Sequence, residues 1–172
     1  AGALTKEKGW KRVMDTMCEA AKKMPQTHFY LDVITKDDCL DLPTYDNLSV
    51  RKLDFMPFLQ FCRQIVDYDI FLDLRDIDFE NTRCLPIKLF YYMACGRPSI
   101  YANLSAISKG VSEIHQCAQL VNNVVEAANA LCDYVCNREL YQSHCSNALH
   151  ASINKYNWNH IKSSFIQLIY EV

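Results

Sequence analysis

The chain has 172 residues, half of them hydrophobic and 22% charged, enough for one α/β domain with a real core. A formal net charge of −2 leaves no general basic field for nucleic acid, although a local anion site stays open. No run approaches the roughly 18 to 20 apolar residues that span a bilayer, and the opening AGALTKEKGW turns polar too soon for a secretory leader.

Helical and strand patterns alternate along the chain, which predicts a Rossmann-like parallel sheet sandwiched by helices. Val13, Met14, Met17, Cys18 and Ala21 recur at helical spacing over residues 10–24, and Pro25 closes that helix. Residues 28–34 (HFYLDVI) read as a strand. A polar stretch with Asp37, Asp38, Asp41, Pro43 and Asn47 leads to a weaker strand at 48–55. Residues 58–66 carry a helix pattern, 69–74 (DIFLDL) a buried strand and 75–83 a charged loop. Residues 86–95 form an amphipathic helix with Pro86 in the first turn and Gly96 as its stop. Strands follow at 98–101 and 119–121, and the chain is mostly helical from Val124 onward. No repeat or low-complexity linker interrupts it, so residues 1–172 read as one domain.

Nine cysteines do not make a disulfide set, because their number is odd and their spacing scattered. Cys18, Cys62, Cys95 and Cys132 sit in apolar runs, where a thiol acts as a small hydrophobe. Cys132, Cys136, His144 and Cys145 lack the CxxC pair of a zinc site, and no metal is expected. A reducing cytoplasm fits this usage. Neither GxGxxG nor a Walker loop is present, which leaves dinucleotide dehydrogenases and P-loop ATPases without a motif.

In an open parallel sheet, ligands bind beyond the carboxyl ends of the strands. Three loops qualify. Lys8 and Gly9 stand at a helix start, where a mobile cation and backbone donors suit a phosphate, though a solvated surface lysine has the same pattern. Arg83, Leu85, Pro86, Ile87 and Lys88 open the second candidate, in which helix-start amides and two cations could meet a diphosphate. An ordinary crossover helix with flanking charges reads identically. The third is the turn at 53–56, where Phe55 could receive a flat base or simply pack.

KLFYYMACGRPSIY closely resembles the KLFEYMACGKPVIA type of segment in the C-terminal domain of retaining, GT-B-fold glycosyltransferases of group 1. GALTKEKGWKRVMDTM is similar to that family's opening turn, DIFLDLRD to the strand before its donor helix, and NALHASINKYNWNHI to its closing helices. The resemblance implies the donor half of a two-domain enzyme, which binds a UDP- or GDP-sugar without cofactor or metal. An N-terminal half, acting as partner, would supply most of the acceptor site. Transfer of a hexosyl group to a glycan or lipid-linked acceptor, in bacterial polysaccharide biosynthesis, is the implied activity. It would proceed in the cytoplasm or at the inner face of the membrane, and this chain alone is expected to be inactive.

Lys8 matches the family's phosphate-binding lysine, while Ala3 stands where a partner arginine is usual. The family's paired glutamates fall on Arg83 and Tyr91. Tyr91 can hydrogen-bond a ribose hydroxyl but supplies no charge; Arg83 reverses the sign and could stand in for the lost arginine. These departures leave a second reading, a degenerate, non-catalytic glycosyltransferase-like domain that holds a partner. A flavodoxin-like signalling domain, cued by Asp37 and Asp38, fits the motifs poorly.

The family's domain opens with a β-strand immediately before Gly2, near the middle of the sheet. The chain is therefore expected to be part of a longer protein. The gap would be filled by another molecule, as in a homodimer joined through the incomplete sheet, or the sheet would be rearranged.

Overall fold

Helix α1 (Trp10–Lys23) buries Met14, Met17, Ala20 and Ala21, the stripe its 3.6-residue period predicts. Strand β1 (Phe29–Thr35) pairs in parallel with β2 (Leu48–Asp54), from Phe29↔Leu48 to Thr35↔Asp54. Across that ladder Arg51 grips Asp32 through two hydrogen bonds of 3.0 and 2.6 Å. Helix α2 (Phe58–Ile65) then leads to β3 (Phe71–Asp73), a 3-10 turn (Asn81–Arg83) and α3 (Lys88–Ala94). Strands β4 (Ser99–Ala102) and β5 (Ala118–Val121) enclose two short helices, α4 (Ser105–Gly110) and α5 (Ile114–Cys117). The chain continues through α6 (Val124–Cys136), α7 (Arg138–Asn154) and α8 (Trp158–Tyr170). This computed structural model describes residues 8–37 and 45–170 and, at 164, 165, 168 and 169, the backbone alone. Gly2, Ala3, Asp38, Asp41 and Pro43, singled out in the sequence, lie outside the described residues.

Strands β3, β4 and β5 form a parallel sheet in that order, and β1 with β2 forms a second. Helices cover both faces, as the alternating sequence pattern predicts. On one face, Leu74 and Ile100 pack with Met17 of α1 and Ala127 and Leu131 of α6. On the other, Phe71 and Tyr101 pack with Leu89 and Met93 of α3 and Ala148 of α7. Adjacent Ile100 and Tyr101 thus point to opposite cores, as a strand's period of two requires.

Local differences from the sequence expectation have local causes. Helix α3 begins at Lys88 rather than at Pro86. The Leu89 N–H closes on the Pro86 carbonyl (3.0 Å) and that of Phe90 on Ile87 (3.2 Å), a tighter entry than a regular α-turn. Gly96 stops α3 as predicted, with φ of 62° and its N–H on the Met93 carbonyl at 2.9 Å. Helices α4 and α5 have six and four residues, too few to show a period in the sequence. Among the described residues no helix is long and apolar enough to cross a membrane.

The layer of α6 and α7 contains one acid-sensitive pair. The Tyr134 hydroxyl lies 2.8 Å from Nδ1 of buried His144, and burial lowers the pKa of that imidazole. As pH falls through about 6.5, the ordinary histidine value, the unfolded chain takes a proton before the folded one. Stability is therefore expected to fall with pH until the folded-state imidazole also titrates. Urea midpoints at pH 7.5 and 5.5 measure this; His144→Gln should flatten the slope, and an unchanged slope would contradict it.

Candidate functional site

The chain enters α1 across the carboxyl end of β3. Gly9 is buried with φ of 77°, and a Cβ there would lie 1.9 Å from the Leu74 carbonyl oxygen. Only glycine permits this approach. The Gly9 carbonyl accepts the Val13 N–H at 2.9 Å and so opens α1, while Lys8 is left at the rim of a cavity.

One turn into α1, Arg12 ties the strand ends together. Its guanidinium donates to the Arg75 carbonyl at 2.7 Å and to the Asn122 carbonyl at 3.0 Å. Arg75 in turn forks onto the Asp73 carboxylate at 2.9 and 3.1 Å, with the two side chains only 12% and 13% exposed. Asp73 is the last residue of β3 and Arg75 lies two residues beyond it.

Lys88, the first residue of α3, completes the group. Its ammonium pKa is lowered, mainly by burial and further by the charges of Arg75 and Lys8, with Asp73 opposing. Lys88 thus lies within electrostatic reach of Lys8, Arg75 and Asp73. All four line, with Tyr92, a cavity of about 1360 Å³ that continues between β1 and β3. The lining also includes Asp32, Asp67 and Asp69; beside Asp73, the partly buried Arg75 and Lys88, with exposed Lys8, can favour an incoming anion.

The sequence-derived residues divide between two locations. Lys8 and Lys88 both line the cavity, and Gly9 lies against the Leu74 carbonyl beside it. Pro86 is buried at the entry to α3, whereas Leu85 and Ile87 are exposed to solvent. Arg83 does not line the cavity; its guanidinium stacks 3.6 Å over the Phe79 ring and donates to the Phe79 carbonyl at 3.0 Å. Tyr91 packs against the rings of Phe58 and Phe61 at 5.2 and 6.4 Å. Phe55 is exposed beyond β2, with the Lys36 ammonium 4.7 Å over its ring. Sequence reading passed over Arg12, Asp73 and Arg75. The signal available for the last two was their place at the end of the DIFLDLRD strand. No cluster of three or more His, Cys, Asp or Glu able to hold a metal occurs among the described residues.

No family model and no curated protein matches the sequence. Solved structures do. WaaG, a glycosyltransferase involved in lipopolysaccharide biosynthesis, superposes with a TM-score of 0.64 at 12% identity, over 87% of this chain and 40% of that one. The pneumococcal O-GlcNAc transferase GtfA, in complex with UDP and GlcNAc, gives 0.71 at 14% identity, over 98% of this chain and 34% of its own. The C-terminal domain of a group 1 family glycosyl transferase (LpcC) from Francisella tularensis gives 0.59 at 13% identity, over 91% of this chain and 84% of that one. This chain therefore spans well under half of WaaG and GtfA but most of the isolated LpcC domain. With parallel strands flanked by helices and the start of α1 at the carboxyl end of β3, the chain has the GT-B C-terminal domain fold of group 1 glycosyltransferases.

Proposed function

We propose that the chain holds the diphosphate of a nucleotide-diphosphate sugar at the carboxyl end of β3, as the donor half of a hexosyltransferase. The observation that carries this reading is the convergence of Lys8, Arg75 and Lys88, from three separate segments, on the part of one cavity beside Asp73. A nucleoside diphosphate gains negative charge at its leaving oxygen when the sugar departs. Cations already fixed in a partly dry site stabilise that charge without reorganising. Asp73 holds the Arg75 guanidinium in place through its bidentate contact, and Arg12 fixes the backbone beneath both. UDP, the nucleotide in the GtfA structure, is the first candidate ligand. The acceptor site and the rest of the catalytic groups belong to the remainder of a two-domain protein in this reading.

Calorimetric titration of the chain with UDP, GDP and inorganic pyrophosphate tests it. Each of Lys8→Met and Lys88→Met should weaken binding roughly tenfold, about 1.4 kcal/mol, while Phe55→Ala should leave it unchanged. Because the Lys88 pKa is lowered, affinity should decline as pH rises through that depressed value, where the cation is lost before an ordinary lysine would lose it. No binding of any of the three ligands, or equal affinity in both lysine variants and the parent, would rule the reading out.

A further inference from the structure

Tyr92 lines the cavity together with Asp73, Arg75 and Lys88, yet packing does not account for its hydroxyl. The residue is 4% exposed and belongs to the core that holds Ile65, Phe71 and Leu89. Its ring stacks on Phe71, with centroids 4.0 Å apart and planes 8° from parallel. A phenylalanine would make the same stack and fill the same space. The phenolic oxygen adds a buried polar group that has no hydrogen-bond partner among the described residues. Such a group costs free energy that phenylalanine avoids.

Helix geometry aims this hydroxyl. Tyr92 stands one turn after Lys88, so the two share a face of α3. Long side chains on a helix lean back toward its N-terminus, which carries the phenol toward the turn of Lys88. Asp73 is already engaged there, since both its oxygens accept from Arg75. Burial raises the Tyr92 pKa, and the charge of Asp73 raises it further; Arg75 opposes and Cys95 adds to the rise. Tyr101 of β4 lies within electrostatic reach of the same phenol. Tyr92 therefore stays protonated into alkaline solution, as a donor that carries no charge.

We propose that the Tyr92 hydroxyl is a specificity-determining group of the diphosphate site, donating a hydrogen bond to a phosphate oxygen held between Arg75 and Lys88. This assignment rests on the diphosphate reading given above and adds a residue to it. Lysine ammoniums attract any anion. A fixed neutral donor on a buried ring rewards only an anion that places an oxygen against it. The free-energy cost of the unpaired hydroxyl in the empty protein is then offset when the ligand arrives, so stability and affinity should respond to its removal with opposite signs.

Calorimetric titrations of Tyr92→Phe with pyrophosphate and with UDP, at pH 7.5 and 9.5, test this together with urea midpoints. Binding of both ligands should weaken roughly three- to tenfold relative to the parent, by the same factor at the two pH values, while the midpoint stays level or rises. Tyr101→Phe is the control: its hydroxyl is also buried without a partner, but Tyr101 does not line the cavity, and affinity should not change. Equal affinity in Tyr92→Phe and the parent overturns the proposal. So does a loss confined to UDP, which would place the hydroxyl at the nucleoside, or a loss accompanied by a lower midpoint, which would make its role one of packing. A parent that binds neither ligand removes the diphosphate reading and this proposal with it. A parent weakened by Lys88→Met but not by Tyr92→Phe removes this proposal alone.

Discussion

Gly9→Ala is expected to destabilise the chain by about 2–5 kcal/mol, more than a methyl added at Gly96 or Gly110. Two costs combine. A non-glycine residue at positive φ costs roughly 1–2 kcal/mol, and forcing a methyl into occupied space costs about 1–3 kcal/mol more. At Gly9 the obstacle is the Leu74 carbonyl oxygen, 1.9 Å from the added carbon. Backbone cannot rotate away as a side chain can. Gly96 supplies the control: its φ is 62°, but the nearest atom to an added Cβ is the Leu149 Cβ, at 3.4 Å. Gly96→Ala should therefore show the backbone cost with little steric cost. Urea denaturation of both variants measures the difference, and equal losses would mean that the approach of Gly9 to β3 is not the constraint. Moving residue 9 off Leu74 also shifts Lys8, so pyrophosphate affinity should fall in Gly9→Ala even where the chain remains folded.

The fold was legible where long periods write themselves into the sequence. The apolar stripe of α1, the β-branched and aromatic run of β1 and the stop at Gly96 each follow from one local rule, and all stand where those rules put them. Short elements carry no such record. Helices α4 and α5 are set by packing of Ile107, Val111 and Ile114 under β4 and β5, a tertiary cause with no period to read. The candidate site divides in the same way. Lys8 and Lys88 were visible because each lies beside a helix start, a feature of the chain itself. Arg75 was not, since its value lies in its contact with Asp73 and in the nearby charges of two residues distant in sequence. Arg83 and Tyr91 show the converse. Spacing places them on the family's glutamate positions, but their surroundings are aromatic: Phe79 beneath one, Phe58 and Phe61 around the other.

Leu89→Ala and Ile100→Ala should each cost about 2–5 kcal/mol, the range for truncating a fully buried aliphatic side chain, yet only the first should disturb anion binding. Both residues are 0% exposed. Ile100 packs in the core shared with α1 and α6, while Leu89 packs in the opposite core with Met93 and Tyr92. Helix α3 has seven residues, far too few to persist without tertiary support. Its position rests on Leu89, on Met93 and on the Tyr92 ring stacked 4.0 Å from Phe71. Lys88 immediately precedes Leu89, so a cavity under Leu89 loosens the helix start that sets the Lys88 ammonium beside Arg75. Pyrophosphate titrations at a temperature where both variants remain folded separate the two effects. The expected result is a several-fold loss in Leu89→Ala and none in Ile100→Ala. Equal affinity in the two would mean that the position of Lys88 does not depend on the packing of α3, and that the backbone at the Pro86 turn alone determines it.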